Sequence, residues 1–235
     1  MLTYSENIKI IDFIGASGSG KTTLANAFFE HHQNIEKDIL KVSNKNLKNT
    51  DILKNEKSNQ LIKELLQEKK KTNPSEGLLR YYASLLTIDQ NIINSNSAKL
   101  FIADDGITHI FDKEILNLTN ENLIKQAFLS RAIILIEQST DKIIENLKNR
   151  NQKTPGAAND WLGYCVRNKI SINHIIEKSK ERKIKMLEHA KINHALTYKI
   201  ELKSNIKDNI NQLTDIIKGL SLDLYNKTSI HKESK

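Results

Sequence analysis

Three glycines, a lysine and two threonines crowd into "GASGSGKTT", Gly15 to Thr23, directly after the apolar run "IIDFI". Gly15, Gly20, Lys21 and Thr22 complete the spacing G-x-x-x-x-G-K-[ST]. Glycine admits backbone conformations that close off other residues, so successive N–H groups can turn inward around an anion. Ala16, Ser17, Gly18 and Ser19 fill the turn and Thr23 follows it, so that stretch offers mostly bare backbone and small side chains. A helix beginning at that point adds its unpaired N–H groups and the positive end of its dipole. Lys21 then supplies one compact charge for β and γ phosphates, and the Thr22 hydroxyl suits Mg²⁺. The alternative, a chance Gly/Ser turn before a helix, leaves the full-length match and its strand-to-helix setting unexplained.

A second cluster is acidic. "LFIADDG" places Asp104 and Asp105 just past another apolar run. Strand ends on the carboxyl side of an open sheet are where ligands bind. One acid there can hold the metal's shell while the other accepts a proton from an attacking hydroxyl. The adopted reading gives Asp104, with Thr22, to the metal and Asp105 to the base. Two acids capping the turn before Gly106 is the structural alternative.

These residues need strands and helices to aim them. The apolar runs Ile8 to Ile14, Lys99 to Asp105, Arg131 to Ser139 and Leu196 to Leu202 read as strands, and Asp38 to Asn44 as a short fifth. Helical spacing appears over Thr22 to His31, Asn46 to Lys71 and Leu78 to Ile93, and around Phe111 to Leu118 and Glu121 to Ser130. It returns from the strand after Arg131 through Arg150, over Ser171 to Ala190, and along Ile206, Ile210, Leu213, Ile216, Ile217 and Leu220. Strands alternating with helices predict an α/β fold, three layers deep, with a parallel sheet of about five strands. One domain over residues 1–224 and a flexible tail over 225–235 complete the expectation.

Composition limits the partners. At 235 residues, 38% hydrophobic and 27% charged, the chain reads as a soluble globular protein. Its apolar runs are far shorter than the roughly 20 residues of a membrane helix. "MLTYSENIK" lacks a signal-peptide layout, and one cysteine, Cys165, cannot form an internal disulfide. A cytoplasmic location is the expectation. The net charge of +8 suits an anionic partner. The lysines are scattered and no aromatic platform is interleaved with them, which favours a small phosphorylated compound over nucleic acid.

The cradle "GASGSGKT", the strand end "FIADDG", the segment "IILIEQSTDKIIENLKNR" and the terminal "YKIELKSNIKDNINQLTDII" together resemble the P-loop kinase superfamily of nucleoside, nucleotide and small-molecule kinases. The resemblance implies ATP and Mg²⁺ and a small phosphoryl acceptor, such as a nucleoside, nucleotide or sugar derivative. It implies an acceptor-side helical insertion over residues 34–98 and a lid over 150–168. By the same likeness Arg150 is similar to the lid arginine that neutralises the transferring phosphoryl group; an ordinary cation at a helix C-terminus is the other reading. Nucleotide kinases often carry "DGFPR" after the acid strand, whereas this chain has "DGITH", with His109 where arginine would sit. His109 therefore reads as a packed or surface residue.

On the acceptor side Arg80, Tyr81 and Tyr82 stand together, with Tyr82 read as core and Arg80 as a solvated charge. Trp161 and Tyr164 read as packed. Two other classes use the same cradle: an ATPase or GTPase switch, and a nucleotide-binding module, nucleic-acid associated or not. The guanine-reading N-K-x-D and the LSGGQ-type segment are absent. The Lys21 side chain is expected to face solvent.

Overall fold

The computed structural model describes residues 8–32, 39–42, 59–95, 99–153 and 161–230, the last ten by backbone alone. The stretch 43–58, which contains the first part of the helix expected from Asn46, lies outside them, as do residues 154–160 of the expected lid and the end of the chain from 231.

Five strands form one sheet: β1 (Ile10–Ile14), β2 (Ile39–Lys41), β3 (Leu100–Ala103), β4 (Arg131–Glu137) and β5 (Leu196–Glu201), in the order β2-β3-β1-β4-β5. Every pairing is parallel. Parallel neighbours require long crossovers, and these are helices laid on both faces. They are α1 (Lys21–His32), α2 (Gln60–Lys70), α3 (Glu76–Asn94), α4 (Ile107–Ile110), α5 (Asp112–Leu116), α6 (Glu121–Phe128), α7 (Thr140–Lys153), α8 (Trp161–Asn168), α9 (Ile172–Ile192) and α10 (Ile206–Ile230). The result is the expected three-layer P-loop fold. None of the described helices is long and apolar enough to cross a membrane.

Alternation along the strands sorts the core. Ile11 and Phe13, with Ile134, Ile136 and Ile200, pack against Leu24 and Phe28 of α1 and Leu213 of α10. Ile14, Ile133 and Leu135 pack on the opposite face against Leu61, Phe111, Phe128 and Met186. Asn59 and Ser75 cap α2 and α3, each accepting from backbone N–H groups. The segment "KTNP" separates those helices as its proline predicts. Two boundaries differ from expectation. α7 runs to Lys153, so Arg150 sits inside its last turn, and the α10 backbone continues to Ile230, into the expected tail.

One residue breaks the apolar rule. Asp12 lies mid-strand on the central strand and is fully buried. Its Oδ2 accepts from Arg131 Nη1 at 2.9 Å. Arg131 opens β4 and also grips Asp89 of α3 in a two-pronged contact of 3.0 and 2.8 Å. The guanidinium and both carboxylates are sealed from water. Burial pushes the Asp89 carboxyl up while Arg131 opposes it, and the two acids raise Arg131 further above its ordinary value against its own burial.

Removing one partner of such a buried group leaves uncompensated charge, which costs about 3–5 kcal/mol. Arg131→Met, which leaves Asp12 and Asp89 facing each other, is therefore expected to lose that much stability in urea unfolding. Replacing all three with apolar residues of matching volume should restore most of it. An Arg131→Met protein as stable as wild type would contradict the account.

Candidate functional site

Register decides what meets at the top of the sheet. Asp12 of β1 lies opposite Ala103, the last residue of β3, and Ile14 lies opposite Leu135 of β4. The turn after β1 and the acid pair after β3 thus emerge side by side, at a point where the chain departs in opposite directions.

The turn is built for close approach. Gly18 and Gly20 have φ of +84° and +96°, a region costly for other residues. A Cβ on Gly20 would stand 2.7 Å from Leu202, and one on Gly15 would meet both the Ile136 carbonyl and Ser19 Oγ at 2.7 Å. Asn146 of α7 donates to the Gly18 carbonyl at 2.8 Å, tying that helix to the turn. Ser19 Oγ is buried with no hydrogen-bond partner among the described residues, a polar atom suited to an incoming oxygen.

Lys21 corrects one expectation. It is only 6% exposed, and its ammonium donates to the carbonyls of Gly15 and Ala16 at 3.3 and 3.4 Å. An ammonium has three donors and no acceptor, so curling back over its own turn satisfies it. Burial lowers its pKa; Asp105 and then Asp104 work the other way, and Arg150 adds to the lowering. Thr22 and Thr23 are exposed and Ser17 is half-buried.

The two acids differ in environment. Asp104 is 3.5 Å from the ammonium of Lys41, which also donates to Asn26 of α1 at 2.6 Å. Asp105 is half exposed and 3.5 Å from His109 Nε2. Partial burial raises the Asp105 pKa and Lys21 pulls it back, with Asp104 adding to the rise. Tyr81 lies close enough for Asp105 and Asp104 to hold its phenol up after burial, its main cause. Arg80 instead pairs with Glu76 in solvent, and Tyr82 meets Phe111 edge-on at 5.5 Å, as read from the sequence. Lys69 forms an ion pair with Glu114 at 3.1 Å above those rings, linking α2 to α5.

Several site residues carried no motif. Lys183 of α9 is buried, 2.7 Å from Asp112 and 2.7 Å from the His109 carbonyl. Burial brings its pKa down to about 8. Arg182 holds the same carboxylate at 2.6 Å. On the other side of the turn a cavity of about 550 Å³ opens between Gly20, Lys142, Arg150, Lys153, Leu202 and Lys203. Asn209 shapes its rim, accepting from the Lys203 N–H at 2.8 Å and donating to the Lys203 carbonyl at 2.9 Å. A signal for Asn209 existed: it is a polar residue three places after Ile206 on the apolar stripe of α10. Tyr164 is 45% exposed, so it is not packed away as expected; the side chain of Trp161 lies outside the described residues.

For a divalent cation the nearby donors are hard oxygens, the Thr22 hydroxyl and the two carboxylates. Among the described residues no three acidic, His or Cys groups cluster tightly enough to cage a metal. That set fits Mg²⁺, which keeps several waters and takes phosphate oxygens alongside one or two carboxylates.

No family model and no curated protein matches the chain. Among solved structures it is similar to shikimate kinase from Acinetobacter baumannii in complex with shikimate, with 13% identity over 91% of this chain and 95% of that one and a TM-score of 0.41. It is also similar to deoxyadenosine kinase from M. mycoides with dCMP and a flexible dCDP bound, with 13% identity over 89% and 99% and a TM-score of 0.49.

His109 gives a test of this electrostatic setting. Burial, and then the Lys21 and Lys183 charges, hold its pKa well below 6.5. Below pH 6.5 the unfolded chain therefore takes up the imidazole proton first. Its stabilising contribution is present above that pH and is lost as pH falls toward the folded value; His189, lowered by burial, acts in the same sense. His109→Gln should flatten the fall in stability between about pH 7 and pH 5. Urea unfolding across that range checks this, and an unchanged slope would count against it.

Proposed function

We propose that this chain is an ATP-dependent phosphotransferase acting on a small hydroxyl- or phosphate-bearing molecule. The observation that carries the reading is the position of Lys21: a buried ammonium at the base of a bare-backbone turn, within the field of the acid pair and of Arg150. A polyanion's terminal phosphates would replace the loop carbonyls as its partners, exchanging weak dipoles for full charges.

In this reading the turn from Gly15 to Thr23 holds the phosphates, and the cavity beside Leu202, Lys203 and Asn209 takes the rest of the nucleotide. Thr22 and Asp104 would hold Mg²⁺, which when bound supplies charge neutralisation across the β and γ oxygens. Asp105 is the base: its carboxylate accepts the acceptor hydroxyl's proton as that oxygen attacks the γ-phosphorus and ADP leaves. A raised pKa makes the carboxylate a better proton acceptor than an ordinary aspartate. Lys21 and the lid arginine Arg150 spread the negative charge of the transferring group. Residues 34–98 form the acceptor side, where Lys41 pairs with Asp104 and Tyr81 lies within the field of both acids, and residues 150–168 form the lid. Arg182 and Lys183, joined on Asp112, add positive potential to that side.

Screening nucleosides, nucleotides, sugars and small alcohols for stimulated ADP formation tests the reading. Lys21→Met should lower turnover by roughly 10²–10³, and Asp105→Asn by roughly 10²–10⁴. Stimulation by no acceptor, with an unchanged rate of ATP hydrolysis in both variants, would remove the proposal.

A further inference from the structure

The buried Asp12 does more than balance Arg131. Its Oδ2 also accepts from the Thr108 hydroxyl at 2.7 Å and from the Thr108 N–H at 3.4 Å. Its Oδ1 has no hydrogen-bond partner among the described residues and is pressed against Gly106, where an added Cβ would come within 2.1 Å. Gly106 is the N-cap of α4, its carbonyl accepting from the N–H groups of His109 and Ile110 at 3.1 and 3.0 Å. Asp105 is the residue before Gly106, and His109, its 3.5 Å neighbour, is one residue past Thr108. One carboxylate thus bonds Thr108 and leaves no room for a side chain at position 106, directly after the acid.

The other four residues of β1 are Ile10, Ile11, Phe13 and Ile14, and a fifth apolar residue would pack here without desolvating a charge. Buried charge sets are often no more stabilising than apolar replacements of similar volume. What Asp12 supplies that an apolar residue cannot is direction: a fixed acceptor that admits one placement of Thr108 and no side chain at position 106. Arg131 fixes that acceptor in turn, through Asp89 on the acceptor-side helix α3.

We propose that Asp12 and Thr108 are positioning residues that hold Asp105 opposite Lys21, and that α3 is coupled to this arrangement through Asp89 and Arg131. The inference rests on the reading of Asp105 as the base. Neither residue touches a reacting atom.

The test compares wild type, Thr108→Val, Thr108→Ser, Asp105→Asn and the double variant Thr108→Val with Asp105→Asn. MgATP turnover is read as ADP release, first with water as the only acceptor and then with the acceptor panel. Misplacing a reacting group by about 1 Å costs on the order of 10²-fold. Thr108→Val should therefore lose ~10- to 100-fold in kcat, with the KM for ATP unchanged, and Thr108→Ser should recover most of it. In the Asp105→Asn background the same Thr108→Val change should cost almost nothing, because the group it places is gone. A crystal structure of Thr108→Val should show Asp105 displaced from His109. Thr108→Ala, which removes the same hydroxyl, replaces Thr108→Val if the latter does not fold. Wild-type kcat in the folded Thr108 variant, or an equal loss with and without Asp105, overturns this inference while leaving the base intact. Full turnover by Asp105→Asn removes the assignment of the base and this inference with it, and no ADP from wild type under either condition removes the phosphotransferase reading as well.

Discussion

A guanidinium sealed inside the sheet governs the site above it. Arg131 reaches from the foot of β4 to Asp12 on the central strand and Asp89 on α3, at 2.8–3.0 Å and out of reach of water. In so dry a setting the partners cannot drift apart without exposing bare charge to an apolar interior, so the geometry is stiff. Two strands and a crossover helix are held at one point, and Thr108 is drawn onto the same carboxylate. The register that sets the glycine turn beside the acid pair is therefore guarded by a polar contact as well as by packing.

Above that point the charges are arranged in pairs of unequal freedom. Lys41 engages Asp104, and Arg182 and Lys183 share Asp112. Asp105 faces a neutral imidazole and feels Lys21 across the gap. The neighbouring acids thus sit in unlike environments, and Asp105 is the one whose charge Lys21 feels more strongly. His109 stays uncharged for the same reason, since it is buried among cations. A protonated ring there would compete with Lys21 for Asp105.

The two sides of the turn are built differently. Toward α7 and α10 the surface is a cavity rimmed by Arg150, Lys153 and the loop that Asn209 braces. Toward α3 and α9 it is a wall of ion pairs and rings. Under the proposed function the first would take a nucleotide body over cations, and the second a smaller molecule presented to Asp105. Asn146 joins α7 to the turn itself, so motion of that helix would be felt at Gly18.

The sequence by itself determined the glycine turn, the alternation of strands and helices, and the acids at the end of β3. Each of these is a local property: glycine's backbone freedom, the period of apolar residues, a charge just past an apolar run. Tertiary structure decided that Lys21 is buried, that Asp104 meets Lys41 while Asp105 meets His109, and that Asp12, Arg131 and Asp89 are one unit. An aspartate inside "IIDFI" reads the same whether or not an arginine 119 residues away will bond it. Lys183 and Asn209 likewise sit in ordinary helical patterns until packing brings Asp112 and the Lys203 backbone to them. Local conformational limits are written in neighbouring residues. The pairing of buried charges depends on which strands lie side by side, and that choice belongs to the folded chain as a whole.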